Sequence, residues 1–61
     1  MNVLCTIAGD SNEEQDRILK IQSAPGYNKV IVMLSIQGKG EEAICVDGDD
    51  LMKAAHNAMN H

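Results

Sequence analysis

Aromatic side chains are almost absent from this sequence. Tyr27 is its one aromatic residue, and there is no Phe or Trp among the 61 residues. Because large rings supply much of the buried area of small domains, the core is expected to be aliphatic and rich in methionine. A chain this short also has a thin stability margin. Both features favour self-association, and we expect a homodimer.

Positive charge and long hydrophobic runs are scarce as well. Nine acidic residues outnumber five basic ones, for a net charge of −4, which disfavours nucleic acid as a partner. No stretch approaches the roughly 20 apolar residues of a transmembrane helix. Residues 1–4 begin a strand-like pattern rather than a secretory signal, so we expect no membrane attachment. Two cysteines without a signal then predict reduced thiols in a cytoplasmic protein.

The sequence is organised around its longest apolar run, residues 29–37. β-Branched residues dominate its first half and predict a strand. One face of this strand would carry Val30, Val32, Leu34 and Ile36. The other face would carry Ile31 and Met33, with margins formed by Lys29, Ser35 and Gln37. A strand that is apolar on both faces is usually covered on both, and this chain is too short to supply two covers.

Three further segments have strand-like patterns, at residues 3–8, 17–22 and 42–46. Pro25 and Gly26 predict a type II turn before the central strand. The run from Gly38 to Gly40 predicts a hairpin connection after it.

Residues 9–16 are polar and acidic, and we interpret them as a solvated loop. The alternative is a helical turn, because Ser11 followed by Glu14 resembles a capping box. That box would start a helix running toward Leu19, whereas the extended interpretation places Leu19 and Ile21 inward on a strand.

Residues 47–60 have helical rather than strand periodicity. At 100° per residue the apolar side chains fall in one arc, which consists of Leu51, Met52, Ala54, Ala55, Ala58 and Met59. Asp47 is predicted to be the N-cap, with Asp49 and Asp50 in the first turn. His61 would lie at the negative end of the helix dipole.

These elements predict a single α+β domain over residues 1–61. A four-stranded antiparallel sheet is followed by one C-terminal helix that packs on one face. We expect the helix to cover the face that carries Val32 and Leu34, because its alanines permit a close approach. The face that carries Ile31 and Met33 would pair with a second copy.

Several side chains have the chemistry of metal ligands, and for each set a simpler interpretation is preferred. Asp47, Asp49 and Asp50 offer oxygen ligands, but their spacing does not match a calcium loop, and helix capping explains them. A zinc ligand set would consist of Cys5, Cys45, His56 and His61. The cysteines form no C-x-x-C motif, and the two histidines point roughly 140° apart on an ideal helix. No metal and no cofactor is therefore predicted.

Catalysis is not predicted either. Cys45 and His56 lie on adjacent elements, but nothing supplies an orienting third group or an oxyanion site. The run from Gly38 to Gly40 joins two strands rather than opening a helix, so it is interpreted as a turn and not as a phosphate loop. The chain is also too short to enclose a substrate pocket.

A protein-binding surface is the preferred interpretation of the remaining features. Tyr27 lies on a loop, where a rigid aromatic can anchor an interface; the alternative is a ring folded over the edge of the core. Ile31 and Met33 form an apolar centre with a polar rim; the alternative is a cover by the acidic loop. Acidic groups would steer a basic partner, and those assigned to the interface are Glu13, Glu14, Glu41 and Glu42.

The sequence therefore predicts a small acidic interaction protein without catalysis, which inhibits or sequesters another protein. One alternative is a dimer that binds single-stranded nucleic acid, since the element order is similar to that of single-stranded-DNA-binding coactivator domains. On that resemblance, a groove would be formed by Arg17, Lys20, Lys29 and Lys39. The chain departs from the pattern, because it offers one Tyr for stacking and an excess of acid. A further alternative sequesters a small ligand or nucleotide between subunits.

Overall fold

A computed structural model describes residues 3–60 as one antiparallel sheet and one helix. The strands are β1 (Leu4–Ala8), β2 (Arg17–Ser23), β3 (Lys29–Ile36) and β4 (Gly40–Asp47), and they lie side by side in chain order. The helix α1 (Gly48–Met59) follows β4 directly. The predicted α+β order of four strands and a helix is confirmed. The predictions made for Met1, Asn2 and His61 lie outside the described residues.

The connection between β1 and β2 contains one turn of 3-10 helix, Asn12–Glu14. The strand at β2 is confirmed, and the loop contains a short helical turn, but the alternative of a helix running toward Leu19 is wrong because β2 already begins at Arg17. The predicted capping box is not found, because Ser11 makes no side-chain capping bond. The loop is closed instead by a backbone bond in which Gly9 N donates to Arg17 O at 3.0 Å.

The other two connections follow their turn residues. Gly26 has a φ of 111°, a positive value that glycine adopts without strain and that the predicted Pro-Gly turn requires. The turn itself lies one step later than predicted, at Tyr27 and Asn28, and Asn28 also has a positive φ of 58°. Between β3 and β4, Lys39 N donates to Ile36 O at 2.9 Å and closes the predicted hairpin. Among residues 3–60, no helix is both long and apolar enough to cross a membrane.

The start of α1 is fixed by contacts on two sides. Asp47 Oδ1 accepts hydrogen bonds from the backbone of Asp49 at 2.9 Å and of Asp50 at 3.3 Å, which confirms the predicted N-cap. Gly48 N donates to the backbone oxygen of Asn28 at 2.6 Å. The Asn28 side chain in turn donates to Asp49 Oδ2 at 3.1 Å. The loop between β2 and β3 therefore holds the first turn of the helix.

The register of the strands sorts the side chains onto two faces, because residues directly opposite one another share a face. One row crosses all four strands through Cys5, Ile21, Val32 and Ile44. We call this side the aliphatic face; its apolar members are Cys5, Ile7, Leu19, Ile21, Val30, Val32, Leu34, Ile36, Ile44 and Val46. Its polar members are Arg17, Ser23 and Glu42.

The other side of the sheet alternates apolar and polar residues, and we call it the mixed face. Its members are Leu4, Thr6, Ala8, Ile18, Lys20, Gln22, Lys29, Ile31, Met33, Ser35, Glu41, Ala43, Cys45 and Asp47. Each face carries one of the two cysteines, on the outer strands β1 and β4.

The predicted helix α1 leaves most of the aliphatic face uncovered in the single chain, because only its start lies beside this face, where a Cβ atom on Gly48 would be 3.8 Å from Val30 Cγ1. Ile44 remains 63% exposed on that face, and Met59 remains 75% exposed on the helix. Leu51 is half-buried, and the contacts of α1 with the sheet are made mainly to β4. The helix follows β4 without a linker. The hydrogen bonds that Asn28 makes with Gly48 and Asp49 fix the direction in which the helix leaves the sheet. No residue among 3–60 is fully buried.

Candidate protein-binding surfaces

The aliphatic face is the most hydrophobic surface of the described chain, and it is open. Ile7 is 56% exposed on β1, Leu34 is 46% exposed on β3, and Ile44 is exposed beside them on β4. Contiguous exposed apolar surface of this kind marks an interaction site in soluble proteins. The sequence assigned this face to the core, so these residues were missed as surface residues.

A pocket of about 280 Å³ opens at one end of the aliphatic face. Aliphatic side chains from three strands line it, together with three charged residues from the β1–β2 connection and β2. The aliphatic residues are Ile7, Leu19 and Leu34, and the charged residues are Asp10, Glu14 and Arg17. An apolar side chain entering the pocket would meet a polar boundary, as at the edge of a protein interface.

Ile31 and Met33, around which the sequence predicted an apolar centre with a polar rim, both lie on the mixed face. Both residues are half-buried. Lys20 lies opposite Met33 in the register, and its Nζ is 3.0 Å from Glu41 Oε2. Because Lys20 is on β2 and Glu41 is on β4, this ion pair crosses β3 and reduces the apolar area that the mixed face exposes. The assignment of Ile31 and Met33 to an interface stays a prediction.

The predicted acidic interface residues gather at one end of the sheet, which we call the acidic end. Glu13 and Glu14 lie on the 3-10 turn, and Glu41 and Glu42 lie at the start of β4. Gln37 N donates to Asp16 O at 2.9 Å and joins the two connections at this end. Alternation along β4 places Glu41 on the mixed face and Glu42 on the aliphatic face.

Tyr27 lies at the opposite end of the sheet, in the loop between β2 and β3. Its side chain is 89% exposed, so the alternative of a ring folded over the core is wrong. The next residue, Asn28, holds the start of α1. Tyr27 and the acidic end therefore belong to two separate surfaces rather than to one patch.

The metal-ligand types do not converge within the described chain. No group of three or more His, Cys, Asp or Glu residues among residues 3–60 is placed to share a metal ion. Cys5 and Cys45 are free and exposed, on opposite faces of the sheet. His56 Nδ1 lies 3.4 Å from the amide nitrogen of Asn60, on the same helix.

Comparison of the chain with protein-family models, with curated proteins and with solved structures gave no match. The functional assignment therefore depends on the two faces, the acidic end and the Tyr27 loop.

Proposed function

We propose that this chain is a small acidic interaction protein without catalytic activity, which acts as a cytoplasmic homodimer and inhibits or sequesters another protein. The observation that carries the proposal is the absence of any fully buried residue among residues 3–60. A sheet that is open on both faces gains stability mainly when other surfaces cover it. Binding other chains is then a condition of its folded state.

The acidic end gives the partner its expected chemistry. Glu13, Glu14 and Glu42 are exposed there without an ion-pair partner in the described chain, and the whole chain carries a net charge of −4. Clustered carboxylates attract a basic surface and raise its association rate. The mixed face offers the partner apolar contacts at its centre, and Tyr27 offers another on the loop between β2 and β3.

Single-stranded nucleic acid is the weaker candidate. Neither face of the described sheet carries an aromatic side chain for base stacking. Two of the four basic residues assigned to a groove face carboxylates, because Lys20 pairs with Glu41 and Lys29 Nζ lies 3.8 Å from Asp47 Oδ2. A gel shift with single-stranded oligonucleotides at low salt is expected to show no complex, and a salt-sensitive complex would favour this candidate instead.

The protein-binding proposal is tested with two matched charge variants. Proteins captured by the purified chain are purified in turn and titrated against it. The double variant Glu13→Gln/Glu14→Gln removes two charges at the acidic end, and Asp49→Asn/Asp50→Asn removes two at the helix end. We expect the first to weaken binding about tenfold and the second to leave it nearly unchanged. Equal effects of both variants, or no direct binding by any captured protein, would overturn the proposal.

A further inference from the structure

The single chain exposes more surface than is expected for a folded monomer of its mass. A monomer of 6.6 kDa is expected to expose about 3,900 Å². This chain exposes 5123 Å², an excess of about 1,200 Å². Two copies that buried this excess would share an interface of about 2,400 Å², which lies in the range of obligate homodimers.

The aliphatic face is the surface that such an interface must cover. Its central row, from Cys5 to Ile44, is apolar on all four strands. Removing this row from water requires an apolar surface of similar area on the covering chain. The mixed face is the weaker candidate, because Lys20 and Glu41 would have to be desolvated there.

The helix of the same chain is anchored at its start, beside Val30 at one end of this face, and leaves the centre of the face uncovered. Asp47 caps α1 while it ends β4, so no linker residue separates the two elements. Gly48 and Asn28 are held together by a backbone hydrogen bond of 2.6 Å. A Cβ atom on Gly48 would already lie 3.1 Å from that same oxygen, which shows how closely the helix start is seated.

The helix nevertheless has an exposed apolar surface that could cover the aliphatic face of another chain. Its apolar arc contains three large side chains and three alanines, and Met52 and Met59 are 71% and 75% exposed. Small residues between larger ones allow a helix to approach a sheet closely. Twelve helical residues span about 18 Å, and four strands span about 14 Å, so one helix is long enough to cross the sheet.

We propose that the aliphatic face is covered by a second copy of this chain, with the apolar arc of α1 of each copy packed on the aliphatic face of the other. The inference builds on the proposed homodimer and assigns its interface. A two-fold axis makes both contacts identical, so each copy gives one helix and receives one. The mixed face, the acidic end and Tyr27 stay available to another protein.

The two cysteines test this assignment, because each reports on one face. Alkylation of Cys5 and of Cys45 is followed separately in the wild-type chain by mass spectrometry of the peptides, over a range of chain concentrations, with the denatured chain as the reference rate. We expect the rate at Cys5 to fall about tenfold or more as dimers form and the rate at Cys45 to change little. Protection of Cys45 alone would overturn the proposal.

A pair of helix variants supplies the second test, because both act at exposed positions of α1. Met59→Asp places a charge in the apolar arc, and Asn57→Asp places the same charge on the polar side of the last turn. By sedimentation, Met59→Asp is expected to raise the dimer dissociation constant about tenfold or more, and Asn57→Asp to leave it nearly unchanged. Equal dissociation constants would overturn the helix-on-sheet contact.

These results separate the interface from the proposed function. A wild-type dimer with neither cysteine protected keeps the homodimer but overturns this assignment. A wild-type chain that sediments as a monomer at high concentration overturns both. Equal effects of the two charge variants on partner binding, with the dimer intact, overturn the proposed partner binding and leave the interface assignment standing.

Discussion

Ile44 lies directly opposite Val32 in the β3–β4 ladder, yet its side chain is 63% exposed. Both residues have the β-branched shape that suits a covered sheet surface. In a monomer with a complete core, the centre of such a row would be buried. In the proposed homodimer, the second copy would cover this pair.

Asp47 is expected to stabilise the chain chiefly as the N-cap of α1. Replacing Asp47 with Ala removes the acceptor of two backbone N–H groups, so the free energy of unfolding should fall by about 1 kcal/mol. Asp47→Asn keeps a capping oxygen and loses only the charge that faces Lys29. Urea unfolding should place Asn closer to wild type than to Ala; equal losses would mean that the cap contributes nothing.

Gly9 is expected to tolerate no side chain. A Cβ atom at this position would overlap the backbone oxygen and the Cβ atom of Glu14, so the loop before β2 would have to shift. Gly9→Ala should lower the free energy of unfolding by about 1–3 kcal/mol. Ser11→Ala, in the same loop, removes no side-chain capping bond and should stay within about 0.5 kcal/mol of wild type. A Gly9→Ala chain as stable as wild type would contradict this packing.

Salt should strengthen the homodimer. Each copy carries a net charge of −4, so two copies repel each other, and the proposed contact between them is apolar. Raising NaCl from about 0.05 M to 0.5 M shortens the screening length and should lower the dimer dissociation constant several-fold. The Glu13→Gln/Glu14→Gln variant should show a smaller effect of salt. A dimer that weakens with salt would indicate an interface held by ion pairs.

The melting temperature should depend on chain concentration, because the proposed homodimer would couple unfolding to dissociation. Leu51 is half-buried in the single chain and lies in the apolar arc that the second copy would bury further. Leu51→Ala should therefore cost about 2 kcal/mol or more per chain, whereas Lys53→Ala on the polar side should stay within about 0.5 kcal/mol. A melting temperature that is independent of concentration in the wild type would contradict the coupling.

Local features of this fold could be predicted from the sequence because their causes are local. Runs of β-branched residues predicted the strands. Gly26 predicted a backbone position with positive φ in the loop before β3, and Asp47 predicted the start of the helix. The direction of α1 could not be predicted in this way. It is fixed by Asn28, whose side chain contacts Asp49 across 21 positions of sequence, and no periodicity reports such a bond.

The candidate surfaces were predicted only in part, for a related reason. Alternation along β1 and β4 shows which face Ile7 and Ile44 share, but a core residue and an uncovered interface residue follow the same pattern. Tyr27 and Glu13 were both assigned to an interface, and they lie at opposite ends of the sheet because β2 separates their loops. The composition of the chain indicated which types of residue would form an interface. The order of the strands determines where on the sheet each of these residues lies.

In the proposed homodimer, the survival of a chain in which no described residue is fully buried would depend on its own abundance. Newly made copies would remain accessible to proteases until each met another, so scarce copies would be degraded and plentiful ones would survive. The number of surviving copies would then rise more steeply than the rate at which the chain is made. The open sheet would thus make the cellular dose of the protein behave as a threshold rather than as a gradual response.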